Sequence, residues 1–326
     1  MAAEEVVVAL DKAFTSKDNR AIVDILTKMS NFRRIEIVEA YRMKFGKDLT
    51  LCTINKLKPN FEKVFRSLIV PLPTFLAREL HKAIKSPVRV DRDAILEILS
   101  GPSTNLLRFT TSQYELIYGR SLEIEFLEMA AEEDFKTFCI SLSLTSRPSE
   151  TANVDSELVC RDAKALFNAG EGRYWWSDDE NESCAAVELA VWIALWSKRS
   201  RKHLRQVFSE YNDLAKTSIE EAIKKQFHGD LKIGFLTLAK CIRDKAAFYA
   251  ERLHYSMKGV GTNDDTLIRA VITNADVGFS DIKDVFKKKY KGTLEDWIAD
   301  DTSGDYRYFL LSLVSTKKRS KEFGAN

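Results

Sequence analysis

The segment Asn60-Phe-Glu-Lys-Val-Phe-Arg-Ser-Leu68 decides the fold, because the chain carries it four times. Its other copies are Asp134-Phe-Lys-Thr-Phe-Cys-Ile-Ser-Leu142, Asp230-Leu-Lys-Ile-Gly-Phe-Leu-Thr-Leu238 and Asp305-Tyr-Arg-Tyr-Phe-Leu-Leu-Ser-Leu313. In the first copy the apolar side chains fall at Phe61, Val64, Phe65 and Leu68. That i, i+3, i+4, i+7 spacing puts them on one stripe of a helix. All four copies keep the stripe. Gly234 is its small member, and a small residue inside a helix marks the close approach of a neighbouring helix.

Two further signatures repeat around this one. Ile22, Ile95, Trp192 and Leu267 hold equivalent places in four apolar helical segments, separated by 73, 97 and 75 positions. Tyr41, Tyr114, Tyr211 and Phe286, followed by Leu49, Leu122, Ile219 and Leu294, repeat at the same separations. Self-similarity at a fixed period means stacked copies of one supersecondary unit. Alternating β-runs are scarce, so the fold class is all-α. The longer second-to-third spacing has two sources: the polar linker Ser146-Arg-Pro-Ser-Glu-Thr-Ala-Asn153, and an enlarged loop from Gly170 to Cys184 rich in Gly, Asp and Glu. The expected division is repeat I over 1–72, repeat II over 73–145, a linker over 146–157, repeat III over 158–245 and repeat IV over 246–326, with the linker separating two halves of two repeats each.

Composition narrows the function. Fifty basic and forty-eight acidic residues leave a net charge of +2, so no whole-molecule field draws in nucleic acid. The N-terminus lacks a basic segment before an apolar stretch, and no run approaches the roughly 18 apolar residues of a spanning helix. A cytoplasmic protein is expected. Five cysteines without C-x-x-C spacing argue for reduced thiols rather than a disulfide framework or zinc site. His81, His203, His228 and His254 are scattered, and no phosphate-binding glycine loop is present, so no enzyme is expected.

One constellation carries chemistry. Met257-Lys-Gly-Val-Gly-Thr262 is followed, 40 residues after Gly261, by Asp301 in Asp300-Asp-Thr-Ser-Gly-Asp-Tyr306. A glycine turn aims successive carbonyls inward, and calcium, a hard cation, takes such oxygen ligands. Met257, Gly259 and Gly261 supply three carbonyls and Asp301 a carboxylate, leaving positions for water or a lipid phosphate. Thr262 and Asp265 have capping-box spacing for the helix that continues through Leu267.

This pairing resembles the type II calcium site of the annexins, whose signature is an M-K-G-x-G-T loop plus an acid about 40 positions later. The match extends through Asp264-Asp-Thr-Leu-Ile-Arg269 and Phe286-Lys-Lys-Lys-Tyr290, and the four-repeat spacing covers the whole chain. Asp162-Ala-Lys-Ala-Leu-Phe-Asn-Ala-Gly-Glu171 and Phe309-Leu-Leu-Ser-Leu313 look more like the plant branch. The resemblance implies a slightly curved disc of four repeats of about five helices. It further implies calcium as the cofactor, an anionic phospholipid membrane as the partner, and Val260 touching the lipid interface.

Departures bear on the other three repeats. The first loop reads Ala13-Phe-Thr-Ser-Lys17 with Lys56 at the acidic position; the second reads Ser86-Pro-Val-Arg-Val90 with Ala130 there; the third is rebuilt, with Gln226 there. Three family sites are expected to be lost. Lys17, Arg89 and Arg92 could meet lipid phosphate directly, and Trp175 and Trp176 could anchor at the interface beside Asp178, Asp179, Glu180 and Glu182. The bland readings are a solvated basic face and tryptophans packed on their own repeat. The tail Lys317-Lys-Arg-Ser-Lys321 is a short polybasic patch. Two alternatives stand: a calcium-independent membrane or cytoskeletal scaffold acting through the basic loops, and an enzyme or ion conductor on the same fold. Oligomerisation stays open.

Overall fold

The computed structural model describes residues 3–52, 57–144, 147–170 and 182–316, apart from the side chains of Cys52 and residues 182–187. Lys56, Trp175, Trp176, Asp178, Asp179, Glu180, the Glu182 side chain and the tail from Lys317 lie outside the described residues.

Twenty helices occur among them, in four sets of five. The first set is α1 (Ala3–Thr15), α2 (Asn19–Leu26), α3 (Asn31–Phe45), α4 (Leu49–Cys52) and α5 (Pro59–Leu68). The second is α6 (Leu72–Ile84), α7 (Arg92–Ser100), α8 (Thr104–Tyr118), α9 (Leu122–Glu128) and α10 (Glu133–Ser143). The third is α11 (Ser156–Asn168), α12 (Glu182–Lys198), α13 (Arg201–Ala215), α14 (Ile219–Gln226) and α15 (Gly229–Arg243). The fourth is α16 (Lys245–Met257), α17 (Asp264–Asn274), α18 (Ser280–Lys289), α19 (Leu294–Asp301) and α20 (Gly304–Val314).

The repeated residues are the core. Ile22, Ile95, Trp192 and Leu267 are buried at the centre of the second helix of each set, and Tyr41, Tyr114, Tyr211 and Phe286 are buried on the third. Leu49, Leu122, Ile219 and Leu294 open the fourth helix and are equally buried. The stripe on the fifth helix is buried in all four copies, from Phe61, Val64, Phe65 and Leu68 to Tyr306, Phe309, Leu310 and Leu313. Burying apolar surface is the dominant favourable term in folding, and only a 3.6-residue period presents it as one face. Gly234 behaves as its size suggests: a Cβ there would come within 2.8 Å of Phe138 Cε1, so α15 rests on α10 at a distance no larger residue permits.

The linker does not divide the chain into two sequential halves. Residues up to Leu76 together with those from Ala246 form one compact unit, and Ala77–Lys245 the other. Repeat I therefore pairs with repeat IV, and repeat II with repeat III. The seams explain why. Asn19 Nδ2 donates to Asp305 Oδ2 at 2.7 Å, and Asn60 Nδ2 donates to Asp264 Oδ2 at 2.7 Å. Each bond joins the first residue of a second helix to the start of the partner's fifth helix, with donor and acceptor exchanged between them. In the other unit Arg92 and Asp230 occupy the same pair of places and form an ion pair. The linker is itself pinned within its unit. Arg147 donates to Trp196 O in the last turn of α12 and to Arg199 O just beyond it, and Glu150 accepts from the backbone N–H groups of Arg201 and Lys202 at the start of α13. A cation at a helix C-terminus and an anion at an N-terminus both match the helix dipole.

Candidate metal centre

The fourth-repeat loop starts where α16 runs out. Met257, buried, is its last residue, and Asn263 N donates to Ser256 O at 2.7 Å, closing Met257–Thr262 into a turn. Gly259 and Gly261 take φ of 116° and 82°, and a Cβ on either would meet nothing within 4 Å. The glycines are needed for backbone conformation and not for space, since a side chain at such φ strains the chain. Val260 between them stands wholly in solvent, at 109% relative exposure.

Asp301 is brought to this loop by the end of a helix. It is the last residue of α19 rather than part of a loop, and α20 begins three residues later at Gly304. Thr262 Oγ1 donates to Asp301 Oδ2 at 2.5 Å and to Asp301 O at 3.0 Å, which fixes the carboxylate against the turn. The Thr262–Asp265 capping box is not formed. Asn263 caps α17 instead, accepting from Thr266 N at 3.0 Å, while Asp265 pairs with Lys63 of α5. An N-cap must sit one residue before the first helical turn, and Asn serves as well there as Thr. Asp264 accepts from Asn60 and also from the Tyr306 hydroxyl at 2.7 Å; burial first, then this bond, pushes the Tyr306 phenol up.

The C-terminal ends of α16 and α19 thus converge, with the Asp301 carboxylate at the loop. Such a place is negative before any ligand arrives. Among the described residues no three His, Cys, Asp or Glu side chains gather to hold a metal, so a cation here would rely on main-chain carbonyls and Asp301. That donor set fits a hard cation such as calcium and suits a thiophilic metal poorly.

In repeats I and II the corresponding turn closes at a different length. In repeat I the corresponding closure is Asp18 N to Ala13 O at 2.9 Å, which shortens the turn by two residues, and Lys17 is left at φ 57°. In repeat II it is Asp91 N to Ala83 O at 2.9 Å, one residue longer than in repeat IV. Residue spacing hid these differences because the N-cap register is retained. Counted from the start of α9, the place of Asp301 falls on Met129; counted back from α10, it falls on Ala130. Neither has a carboxylate. In repeat III Gln226 ends α14 as Asp301 ends α19, and its amide fills the space a Cβ on Gly170 would occupy.

Of the three basic residues singled out from the sequence, Arg92 forms an ion pair with Asp230 across the repeat seam. Lys17 and Arg89 are exposed. Three of the four histidines are engaged with neighbouring side chains, and His228 is exposed at the start of α15. His81 bonds Tyr114 and stacks on Tyr118, His203 bonds Asp162 at 2.8 Å, and His254 stacks on Tyr290 beside Trp297. Cys139, Cys160 and Cys241 are free thiols, and no described helix is long and apolar enough to cross a membrane.

Four sets of five helices define the class, an all-α repeat protein, and the carbonyl-plus-carboxylate loop of the fourth set is its candidate cation site. Comparison with known proteins agrees. The family model described as Annexin matches residues 187–238 and 248–313. Annexin A8 of Pan troglodytes is 38% identical over 299 residues, covering 92% of this chain and 88% of that one. The structure of annexin III superposes with a TM-score of 0.88 at 29% identity, covering 98% of this chain and 95% of that one. Calcium-bound annexin (Sm)1, at 24% identity, shares the fold with a TM-score of 0.84 over 97% of this chain and 90% of its own. The chain belongs to the annexin family. The plant resemblance rests on Asp162–Glu171 and Phe309–Leu313 alone.

Proposed function

We propose that this chain docks reversibly onto anionic phospholipid through calcium held in repeat IV. The ligands are the carbonyls of Met257, Gly259 and Gly261 and the carboxylate of Asp301, with Val260 entering the lipid interface. The observation that carries this reading is the Thr262–Asp301 hydrogen bond at 2.5 Å, which joins two segments about 40 residues apart into one site. The conformations of Gly259 and Gly261 support it, and so does the calcium-bound state of annexin (Sm)1. Bound calcium would supply charge between protein and phosphate; the residues here position oxygen atoms and leave coordination places open to the lipid.

Calcium alone should bind weakly, because a site with a single carboxylate falls among those with Kd on the order of 10⁻⁴ to 10⁻³ M. A phosphate that completes the shell and a cation that attracts the phosphate favour one another by the same factor. Binding is therefore peripheral and tuned by both ligands. Cosedimentation with phosphatidylserine vesicles, in calcium and in chelator, tests it. Pelleting that ignores calcium entirely would refute the reading, as would a calcium response left intact by Asp301→Asn.

A further inference from the structure

The repeat II loop has neither the glycines nor the carboxylate of the repeat IV loop and has kept the shape that presents a tip. Asp91 caps α7 with φ and ψ of −82° and 82°, against −82° and 81° for Asn263 on α17. Both caps donate their N–H back to the preceding helix. Three residues before each cap stands a valine: Val260 in repeat IV, and Val88 in repeat II with 91% exposure. Val90 is buried beneath the turn, so Pro87, Val88 and Arg89 project from a fixed base. None of Lys85 to Val90 takes a positive φ, which means this turn is made without glycine.

What holds the loop is a lysine. Lys85, the first residue beyond α6, reaches Glu125 Oε2 on α9 at 2.6 Å. Glu125 is only 2% exposed and also receives Arg120 Nε at 3.3 Å. In repeat IV a cation would bridge the loop to a carboxylate on the fourth helix; in repeat II an ammonium fixed to the loop does so. A charge pair with one buried partner is costly to break, because a desolvated carboxylate would be left behind. The loop is therefore held closed whether or not calcium is present.

The geometry points to a second lipid contact: the repeat II loop, stapled by Lys85–Glu125, binds anionic phospholipid without calcium, with Val88 entering the interface and Arg89 pairing with lipid phosphate. An exposed valine beside an unscreened guanidinium suits a surface that is apolar beneath and negative above. The occupant is a lipid surface because the site is the positional twin of the Val260 tip, and to that extent the inference rests on the proposed function.

The test uses full-length protein and vesicles of phosphatidylserine with phosphatidylcholine, in chelator at low salt, with pure phosphatidylcholine as the control. The parent is expected to keep a chelator-resistant, salt-sensitive fraction of binding. Arg89→Gln should weaken that fraction about fivefold, the equivalent of the ~1 kcal/mol a basic residue contributes near an anionic surface. Val88→Asp should weaken it at least as much, and both changes lie on solvent-exposed side chains that leave the fold intact. Lys85→Met should reduce it and Lys85→Arg restore it. Asp301→Asn should remove only the calcium-dependent increment, so failure of the repeat IV reading and failure of this one give different patterns. No chelator-resistant binding by the parent, or binding unchanged in Val88→Asp/Arg89→Gln, would overturn the inference; so would equal binding to neutral vesicles.

Discussion

Removing the Asp301 carboxylate separates folding from binding. In Asp301→Ala the hydrogen bond from Thr262 Oγ1 to Oδ2 is lost, but Thr262 keeps its 3.0 Å bond to the Asp301 carbonyl. A hydrogen bond to a charged group contributes roughly 1.5–3 kcal/mol. Against this, Asp301 ends α19, where a negative charge opposes the helix dipole by about 0.3–1 kcal/mol, and Asp300 stands beside it. The net folding cost is then about 1 kcal/mol, a melting shift of about 2–4 °C in chelator. Calcium binding is affected far more. Truncating one member of a close charge pair costs about 2–5 kcal/mol, roughly a 30- to 5,000-fold rise in the calcium midpoint. Asp301→Asn keeps a side-chain oxygen for Thr262 and should fold like the parent while losing calcium as completely. The assays are helicity by circular dichroism, melting with and without calcium, and the calcium midpoint for vesicle pelleting. A variant with the parental midpoint would refute the repeat IV mechanism, and so would an Asp300→Ala loss as large as that of Asp301→Ala, since Asp300 is exposed.

Other perturbations read other parts of the structure. Gly261→Ala, at φ 82° with open space around it, should cost about 1–2 kcal/mol through backbone strain alone and raise the calcium midpoint, measured by pelleting. Gly234→Ala places a Cβ 2.8 Å from Phe138 Cε1 and should destabilise by about 1–3 kcal/mol in denaturant melts, with no change in calcium response. Burial first holds the His254 imidazole below its ordinary range, with Lys258 adding to the effect and Glu251 opposing it; the folded state therefore binds fewer protons than the unfolded chain near pH 6. Stability should rise with pH through about 6.5 and be lost on acidification, and His254→Phe should flatten that slope in melts between pH 5 and 8.

The residues of the core were legible in the sequence because helical burial has a period. Phe61, Val64, Phe65 and Leu68 could form one face only at 3.6 residues per turn, and four copies removed any ambiguity between helix and strand. The glycine turn and its acid were legible for a related reason: Gly259 and Gly261 meet a backbone requirement that few other residues satisfy, and backbone requirements are local. The ion pairs of Arg92 and Asp265 were not legible because their partners, Asp230 and Lys63, lie more than a hundred residues away, and no periodicity announces an ion pair. The Lys85–Glu125 staple escaped for the same reason.

The amino-acid sequence by itself determined which surfaces must be buried, how often the unit recurs, and which repeat carries the glycine turn with an acid 40 residues on. Each follows from short-range properties: side-chain hydrophobicity, φ preference and ligand type. The tertiary structure alone decided that repeat I pairs with IV and II with III, that Asn263 rather than Thr262 caps α17, and that Thr262 is free to hold Asp301. Those outcomes depend on which of several polar partners comes within 3 Å after the helices have packed, and a hydrogen bond has no sequence signature until that distance is set.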